Sequence, residues 1–245
     1  MSSVIDLLKS HRSIRKFTDQ VIEPELFADL ITAGQAAATS SFLQGSTVVR
    51  IKKTETRSAI AKLAGGQSYV ESAAEFMIFC ADLKRPGNYC AEYQKSFEGD
   101  YTEHFIIATV DVALMAQSMV AAAESVGLGI CYIGGIRNDP AQVSELLELP
   151  KGVYPVFGLC LGYPDQDPEV KPRLPLSVIL KEEVYNEVGD GEAISEYDDH
   201  IREYYKTRTG GGHGISWTEQ VSSLLSEKAR PHMRGFLEGQ GFKFR

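Results

Sequence analysis

Apolar residues recur along this chain at two spacings, and the spacing separates helices from strands. Val4, Leu7 and Leu8 lie at helical intervals, so a short helix precedes residue 11. Pro24 opens a second helix, with Glu23 and Glu25 near its positive end. The β-branched run Ser46 to Lys52 predicts a strand. A helix from about Glu55 to Leu63 stops at Gly65-Gly66. EFMIFCAD (Glu75 to Asp82) and YPVFGLCLGYP (Tyr154 to Pro164) are apolar runs of strand length and predict buried strands. Between residues 84 and 101 the chain is polar and irregular, which predicts a loop with some helix.

A long helix is predicted from about Thr102 to Val126, ending at Gly127, with apolar residues on almost every face. Such a helix is buried all round or lies in an oligomer interface. Asp111, Gln117 and Ser118 interrupt it, so it reads as a core helix rather than a membrane span. ICYIGG (Ile130 to Gly135) predicts a short strand or turn, and Asp139-Pro140 starts a helix to about Leu149. After Pro175 the chain turns polar, with helices expected near Ile194 to Thr207, Trp217 to Lys228 and Arg234 to Glu238. TGGGHG (Thr209 to Gly214) reads as a mobile loop. Strands and helices do not alternate regularly, which makes the fold class α+β rather than doubly wound.

The formal net charge of -8 argues against a general nucleic-acid binder, which needs a broad basic surface, and against docking on an anionic membrane. The N-terminal stretch lacks the apolar core of a secretion signal, so a cytoplasmic protein is expected. Cys80, Cys90, Cys131 and Cys160 form no C-x-x-C pair and sit near no patterned histidine, which argues against zinc. Cys80 and Cys160 lie in apolar runs and read as small buried hydrophobes.

Against that acidic background HRSIRKF (His11 to Phe17) gathers an imidazole, a hydroxyl and two guanidinium groups. It is either a solvated helix end or an anion site. KPRLP (Lys171 to Pro175) is either a solvated loop or the second half of a phosphate clamp. GLGICYIGG (Gly127 to Gly135) fails the dinucleotide fingerprint because Tyr132 stands where the third glycine should be. It is either a helix stop with a tight turn or backbone laid against a flat ligand. ATSSFLQG (Ala38 to Gly45) clusters hydroxyls with Gln44, and GGQSY (Gly65 to Tyr69) adds another amide. His11, His104, His200, His213 and His232 make no H-E-x-x-H site, and no Ser-His-Asp set or diagnostic carboxylate pair is visible. Chemistry borrowed from a cofactor fits this sequence better than side-chain catalysis.

In their order, HRSIRKFT, TSSFLQ, AGGQSYVESAAEF, AAESVGLGICYIGGIRN, FGLCLGYP, KPRLP, EYYKTR and KARPH resemble the nitroreductase superfamily. The branch they resemble holds the NADPH-dependent flavin reductases and the major oxygen-insensitive nitroreductases. That resemblance covers nearly the whole chain. It implies one α+β domain over residues 1–245 with a mainly antiparallel sheet. It also implies an intertwined homodimer in which residues from about 176 to 245 wrap the partner subunit. Each of two interface sites would hold non-covalent FMN, with NADPH as co-substrate and small-molecule electron acceptors. His11, Arg12 and Ser13 would then hold the phosphate and ribityl end, and Arg15 the pyrimidine end. Thr39, Ser40, Ser41, Gln67, Tyr69, Tyr132, Ile133, Gly134 and Gly135 would line the flavin, and Lys171 and Arg173 would grip its phosphate. Thr39 stands where close relatives often carry serine. Arg208 and Arg230, each otherwise a solvated helix-end arginine, would hold NADPH. The implied activity is ping-pong, two-electron reduction of free flavins, nitroaromatics or quinones. The rival reading is a flavin store or sensor with little turnover.

Overall fold

The computed structural model describes residues 3–208, 214–227 and 229–245. The chain divides into two compact units, the first made of residues 1–167 and 232–245 and the second of residues 168–231. In the first unit the helices are α1 (Val4–Lys9), α2 (Pro24–Gln35), α3 (Thr54–Leu63), α4 (Tyr69–Ser72), α5 (Lys84–Glu92), α6 (Thr102–Ser125) and α7 (Pro140–Leu146). Its strands are β1 (Ser46–Arg50), β2 (Glu75–Asp82), β3 (Gly129–Ile133) and β4 (Val153–Gly162). They form one antiparallel sheet in the order β1-β2-β4-β3.

Every residue of β2 is buried, and the period of two divides its side chains between two layers. Met77, Phe79 and Ala81 join the layer built with α2 and α6. Phe76, Ile78 and Cys80 join the layer that contains Ile60 and Ala61 of α3, Val70 of α4 and Val143 of α7. An antiparallel strand covered on both faces therefore reads as a continuous apolar run. Each large apolar side chain so buried contributes about 1.5–3 kcal/mol. The carboxylates at its two ends are satisfied. Glu75 accepts from Arg50 Nε at 2.7 Å, and Asp82 accepts from Thr47 Oγ1 at 2.6 Å and from Arg85 N at 3.0 Å. The β2–β4 register shifts between Phe79 and Cys80, and Pro155, which has no N–H to give a ladder, sits next to that bulge.

The long helix α6 crosses α2 closely. A Cβ on Gly34 would lie 3.0 Å from the Met115 carbonyl oxygen and 3.2 Å from Met119 Cβ. By length and hydropathy α6 could cross a membrane, yet Ala108, Asp111, Val112, Met115, Ala116, Met119, Val120 and Ala123 are buried against the protein. Of the two alternatives for this helix, burial all round within one chain does not hold, because Ile106, Val110 and Leu114 form an exposed stripe, and the oligomer interface is the alternative that stays open. Residues 84–92 fold as a helix, α5, and residues 93–101 form neither helix nor strand, as a loop with some helix requires.

The second unit holds α8 (Leu176–Ile179), α9 (Asp190–Thr207) and α10 (Trp217–Ser226). The sequence pattern misses α8, which is a single turn, and places the start of α9 four residues late, because its first residues are polar. Asp198 on α9 receives Thr218 N at 3.1 Å, and Tyr197 meets Trp217 edge to face at 6.3 Å. Ser216 and Glu219 form a reciprocal cap on α10. The glycine-rich stretch predicted as a loop lies, except for Gly214, outside the described residues.

The chain then re-enters the first unit as α11 (Met233–Gly239). Arg230, expected to open a helix here, instead has a left-handed φ of 50° and precedes His232, which caps α11. Phe242 and Phe244 pack edge-on against Phe105 of α6 at 5.9 and 5.0 Å. Thr102 N donates to the Arg245 carbonyl at 3.2 Å, and Arg245 N donates to the Asp100 carbonyl at 3.2 Å. The end of the chain is thereby tied to the start of α6.

Candidate functional site

The cationic motif at residues 11–15 begins just past the Ser10 cap of α1, where His11 N donates to the Leu8 carbonyl at 3.4 Å, and then leaves the helix. It is an extended segment laid beside β3, with Ile14 N donating to the Ile130 carbonyl at 2.8 Å and the Ile14 side chain buried. Alternation along an extended chain then keeps Ser13 and Arg15 off the buried face that Ile14 occupies. A Cβ on Gly129 would come within 2.6 Å of Ile14 Cγ1, so only glycine lets the motif approach the strand this closely.

His11, Arg12 and Arg15 each have an acidic or phenolic neighbour. His11 Nδ1 lies 2.5 Å from Glu124 Oε1 near the end of α6, and the second oxygen of that carboxylate is buried without a hydrogen-bond partner. Arg12 Nη2 lies 2.5 Å from Asp167 Oδ1. Leu7, Ser10, Arg12, Ile14, Glu124 and Asp167 are among the walls of one cavity. Burial pushes the Tyr69 phenol above its ordinary value, Cys131 adds to the rise, and a hydrogen bond with Arg15 works against it. Arg15 and Tyr69 are therefore neighbours.

Tyr69 continues a polar chain. Its hydroxyl donates to Gln67 Oε1 at 2.7 Å, and Gln67 Nε2 donates to the Ala64 carbonyl at 2.7 Å. A Cβ on Gly135 would lie 2.4 Å from that carbonyl oxygen and 2.9 Å from Gln67 Nε2. Of the two readings of the glycine cluster, the helix stop with a tight turn has a physical basis within the chain. Gly127, at φ 82°, is the helix stop, and Gly135 is a close backbone approach. The neighbour at Gly135 is protein, which brings the Gly134–Gly135 turn against Gln67. Ile133 puts its side chain in the core, so only its main chain can face a ligand. A Cβ on Gly134 would have Arg137 Nη2 nearest, at 3.6 Å.

Tyr132 meets Phe157 edge-on at 5.0 Å, and its hydroxyl donates to Gln117 Oε1 at 3.4 Å. Burial, with the Glu124 carboxylate adding to it, pushes its phenol up to about 12. It stays neutral and a hydrogen-bond donor throughout the physiological range.

Thr39, Ser40 and Ser41 sit on a loop with unusual backbone. Ser41, Phe42 and Gln44 have φ of 50°, 57° and 53°. A non-glycine residue held there costs on the order of 1–3 kcal/mol, so something outside the loop must hold it. Gln44 N donates to Thr39 Oγ1 at 3.4 Å. The outside hold is Asp111, which accepts from Ser40 N at 3.1 Å and Gly45 N at 3.4 Å. Sequence reasoning assigns no role to Asp111 or Glu124. The available signal is that Asp111 interrupts the apolar middle of α6 and Glu124 directly follows the apolar run Met119 to Ala123.

The remaining assigned residues lie in the second unit. Lys171 Nζ donates to Tyr205 OH at 2.7 Å, and Arg173 Nη1 donates to the Lys171 carbonyl at 2.7 Å. Arg208, at the end of α9, has its guanidinium carbon 5.6 Å from the Tyr205 ring centroid and 5.9 Å from that of Tyr204. Lys171 and Arg208, assigned separately to FMN and to NADPH, thus share Tyr205 as a neighbour. Arg230 lies apart from that aromatic pair in sequence, two residues before the cap of α11.

Residues 8–163 match the nitroreductase family and residues 171–245 match the C-terminal domain of the nitroreductase family. The chain is 44% identical over 241 residues to an NADPH-flavin oxidoreductase of Vibrio harveyi, covering 98% of each. It is 41% identical over 245 residues to an oxygen-insensitive NADPH nitroreductase of Salmonella typhimurium, covering 100% of each. Among solved structures, the NADPH:FMN oxidoreductase of Vibrio harveyi complexed with NAD+ superposes with a TM-score of 0.91 at 43% identity, covering 99% of each chain.

Proposed function

Since this chain belongs to the nitroreductase family, we propose that it is an FMN-dependent NADPH oxidoreductase that reduces free flavins, nitroaromatics or quinones. The observation that carries this reading is the cluster of Arg15, Tyr69, Gln67 and the Gly134–Gly135 turn in one place. A guanidinium, a neutral phenol and a primary amide beside a glycine turn suit the polar edge of a planar heterocycle. The donor set at His11, Arg12 and Ser13 suits a phosphate, and Glu124 orients His11.

FMN, when bound, supplies two-electron chemistry, taken from NADPH and passed to an acceptor in a ping-pong order in which NADP+ leaves before the acceptor enters. The chain's own residues bind and orient. Arg15 places a fixed positive charge at the pyrimidine end, which favours the more negative reduced form. Thr39, Ser40, Ser41, Gln67, Tyr69 and the main chain of Tyr132, Ile133, Gly134 and Gly135 line the ring system. Lys171 and Arg173 add positive charge for the phosphate, and Arg208 and Arg230 bind NADPH.

The working protein is a cytoplasmic homodimer in this reading, one domain over residues 1–245 whose residues from about 176 onward wrap the partner subunit. The exposed apolar stripe Ile106, Val110 and Leu114 supports an oligomer interface on α6. Purified protein should be yellow, and NADPH added without oxygen should bleach it within seconds. A yellow protein that stays oxidised would favour a flavin store, and a colourless one that takes up no FMN would reject the reading.

A further inference from the structure

Asp111 is 1% exposed in an apolar helix, and no ion pair to it exists among the described residues. A buried carboxylate without a cation is costly unless hydrogen bonds satisfy it. The hydrogen bonds it has both come from one loop, from Ser40 N at 3.1 Å and Gly45 N at 3.4 Å. Neighbouring positions on the helix continue the seam. A Cβ on Gly45 would lie 3.3 Å from Ala108 Cβ, and Ser46 Oγ lies 3.2 Å from Met115 Sδ. Residues 108, 111 and 115 follow helical spacing, so one stripe of α6 receives the loop.

We propose that Asp111 is a positioning residue, whose carboxylate fixes the loop carrying Thr39, Ser40 and Ser41 in its flavin-binding shape. The left-handed residues Ser41, Phe42 and Gln44 lie between its two anchor points. Releasing either N–H lets those residues relax toward ordinary backbone, which moves the hydroxyls. The hold is mutual, because opening the loop strips the buried carboxylate of its donors. This inference rests on the FMN reading of the preceding subsection.

The test uses the full-length protein with Asp111→Ala, Asp111→Asn and, as a packing control on the same helix, Val112→Ala. Three quantities are measured: FMN affinity by flavin fluorescence, the visible circular dichroism of the bound flavin, and amide exchange at Ser40 and Gly45. Asp111→Ala should weaken FMN binding about 10-fold or more, alter the dichroism and speed exchange at both amides. Asp111→Asn, which keeps one acceptor, should fall between it and the parent, and carries the test if the alanine variant does not fold. Val112→Ala should lower thermal stability and leave FMN affinity unchanged. Unchanged affinity in both Asp111 variants, or a loss no greater than that of Val112→Ala, overturns the proposal. If the parent protein binds no FMN, the functional reading fails instead, and the exchange rates alone then decide whether Asp111 holds the loop.

Discussion

His11 and Glu124 are 113 residues apart in sequence, and their side chains meet at 2.5 Å. The pair fixes which way the imidazole faces, at the end of α6 away from Asp111. Helical rise puts Asp111 and Glu124 about 20 Å apart along the axis. One rigid helix thus supports both the His11 imidazole and the loop from Ser40 to Gly45.

Replacing Glu124 by Gln should weaken FMN binding about 10-fold, and His11→Ala should do the same. The double variant should be little worse than either alone, since the two act as a unit. A fluorescence titration of the parent and the three variants checks it. Tighter binding in Glu124→Gln would mean that carboxylate–phosphate repulsion outweighs the orientation of His11.

Arg15→Ala should lower the two-electron potential of the bound flavin by about 30 mV or more, the equivalent of one charged hydrogen bond. Redox titration reads it directly. An unchanged potential would remove Arg15 from the pyrimidine end.

Arg208→Ala should raise the KM for NADPH about 10-fold and leave NADH use nearly unchanged, because only NADPH carries the 2′-phosphate. FMN content should stay normal. Equal losses with both nicotinamides would make Arg208 a structural residue of the Tyr204–Tyr205 pair.

Leu114→Glu places a charge in the exposed apolar stripe of α6. Sedimentation should show a dimer for the parent protein and a monomer depleted of FMN for the variant. A parent protein that sediments as a monomer with FMN bound would reject the interface.

Two phenols contribute to the alkaline limb of stability. Tyr132 and Tyr154 are both pushed up to about 12 by burial, with Glu124 adding to the rise for Tyr132 and Thr109 opposing it for Tyr154. An unfolded tyrosine titrates at about 10. The native state therefore holds these protons more tightly. Their contribution is fully present below about pH 10 and is lost as pH rises toward about 12. Absorbance at the phenolate band should show a late-titrating class that shrinks in Tyr132→Phe.

The sheet and the core helices are legible in the sequence because burial leaves long apolar runs: the run from Glu75 to Asp82 has the same ends as β2. Asp139-Pro140 is legible because a cap and a proline each have a local cause, and Asp139 does accept from Gln142 N at 3.0 Å. Helix α5 is legible only as some helix within a loop, because its residues are polar on balance and include Pro86 and Gly87. The left-handed turn at Ser41, Phe42 and Gln44 is invisible for a different reason: none of those residues favours it locally, and a contact 71 residues away imposes it through Ser40. The motif at residues 11–15 reads as a cluster of charge, but its extended path depends on Ile14 meeting Ile130, which spacing alone does not disclose.

Phe242 and Phe244 complete the aromatic group around Phe105, although the whole second unit, ending at residue 231, is made between α6 and those rings. A ribosome adding about 5–20 residues per second delivers α6 roughly ten seconds before them. During that interval the most apolar helix of the protein exists without the cover that closes over its first turn. The aromatic cover at Phe105 is therefore set by the order of synthesis as well as by the packing of the finished molecule.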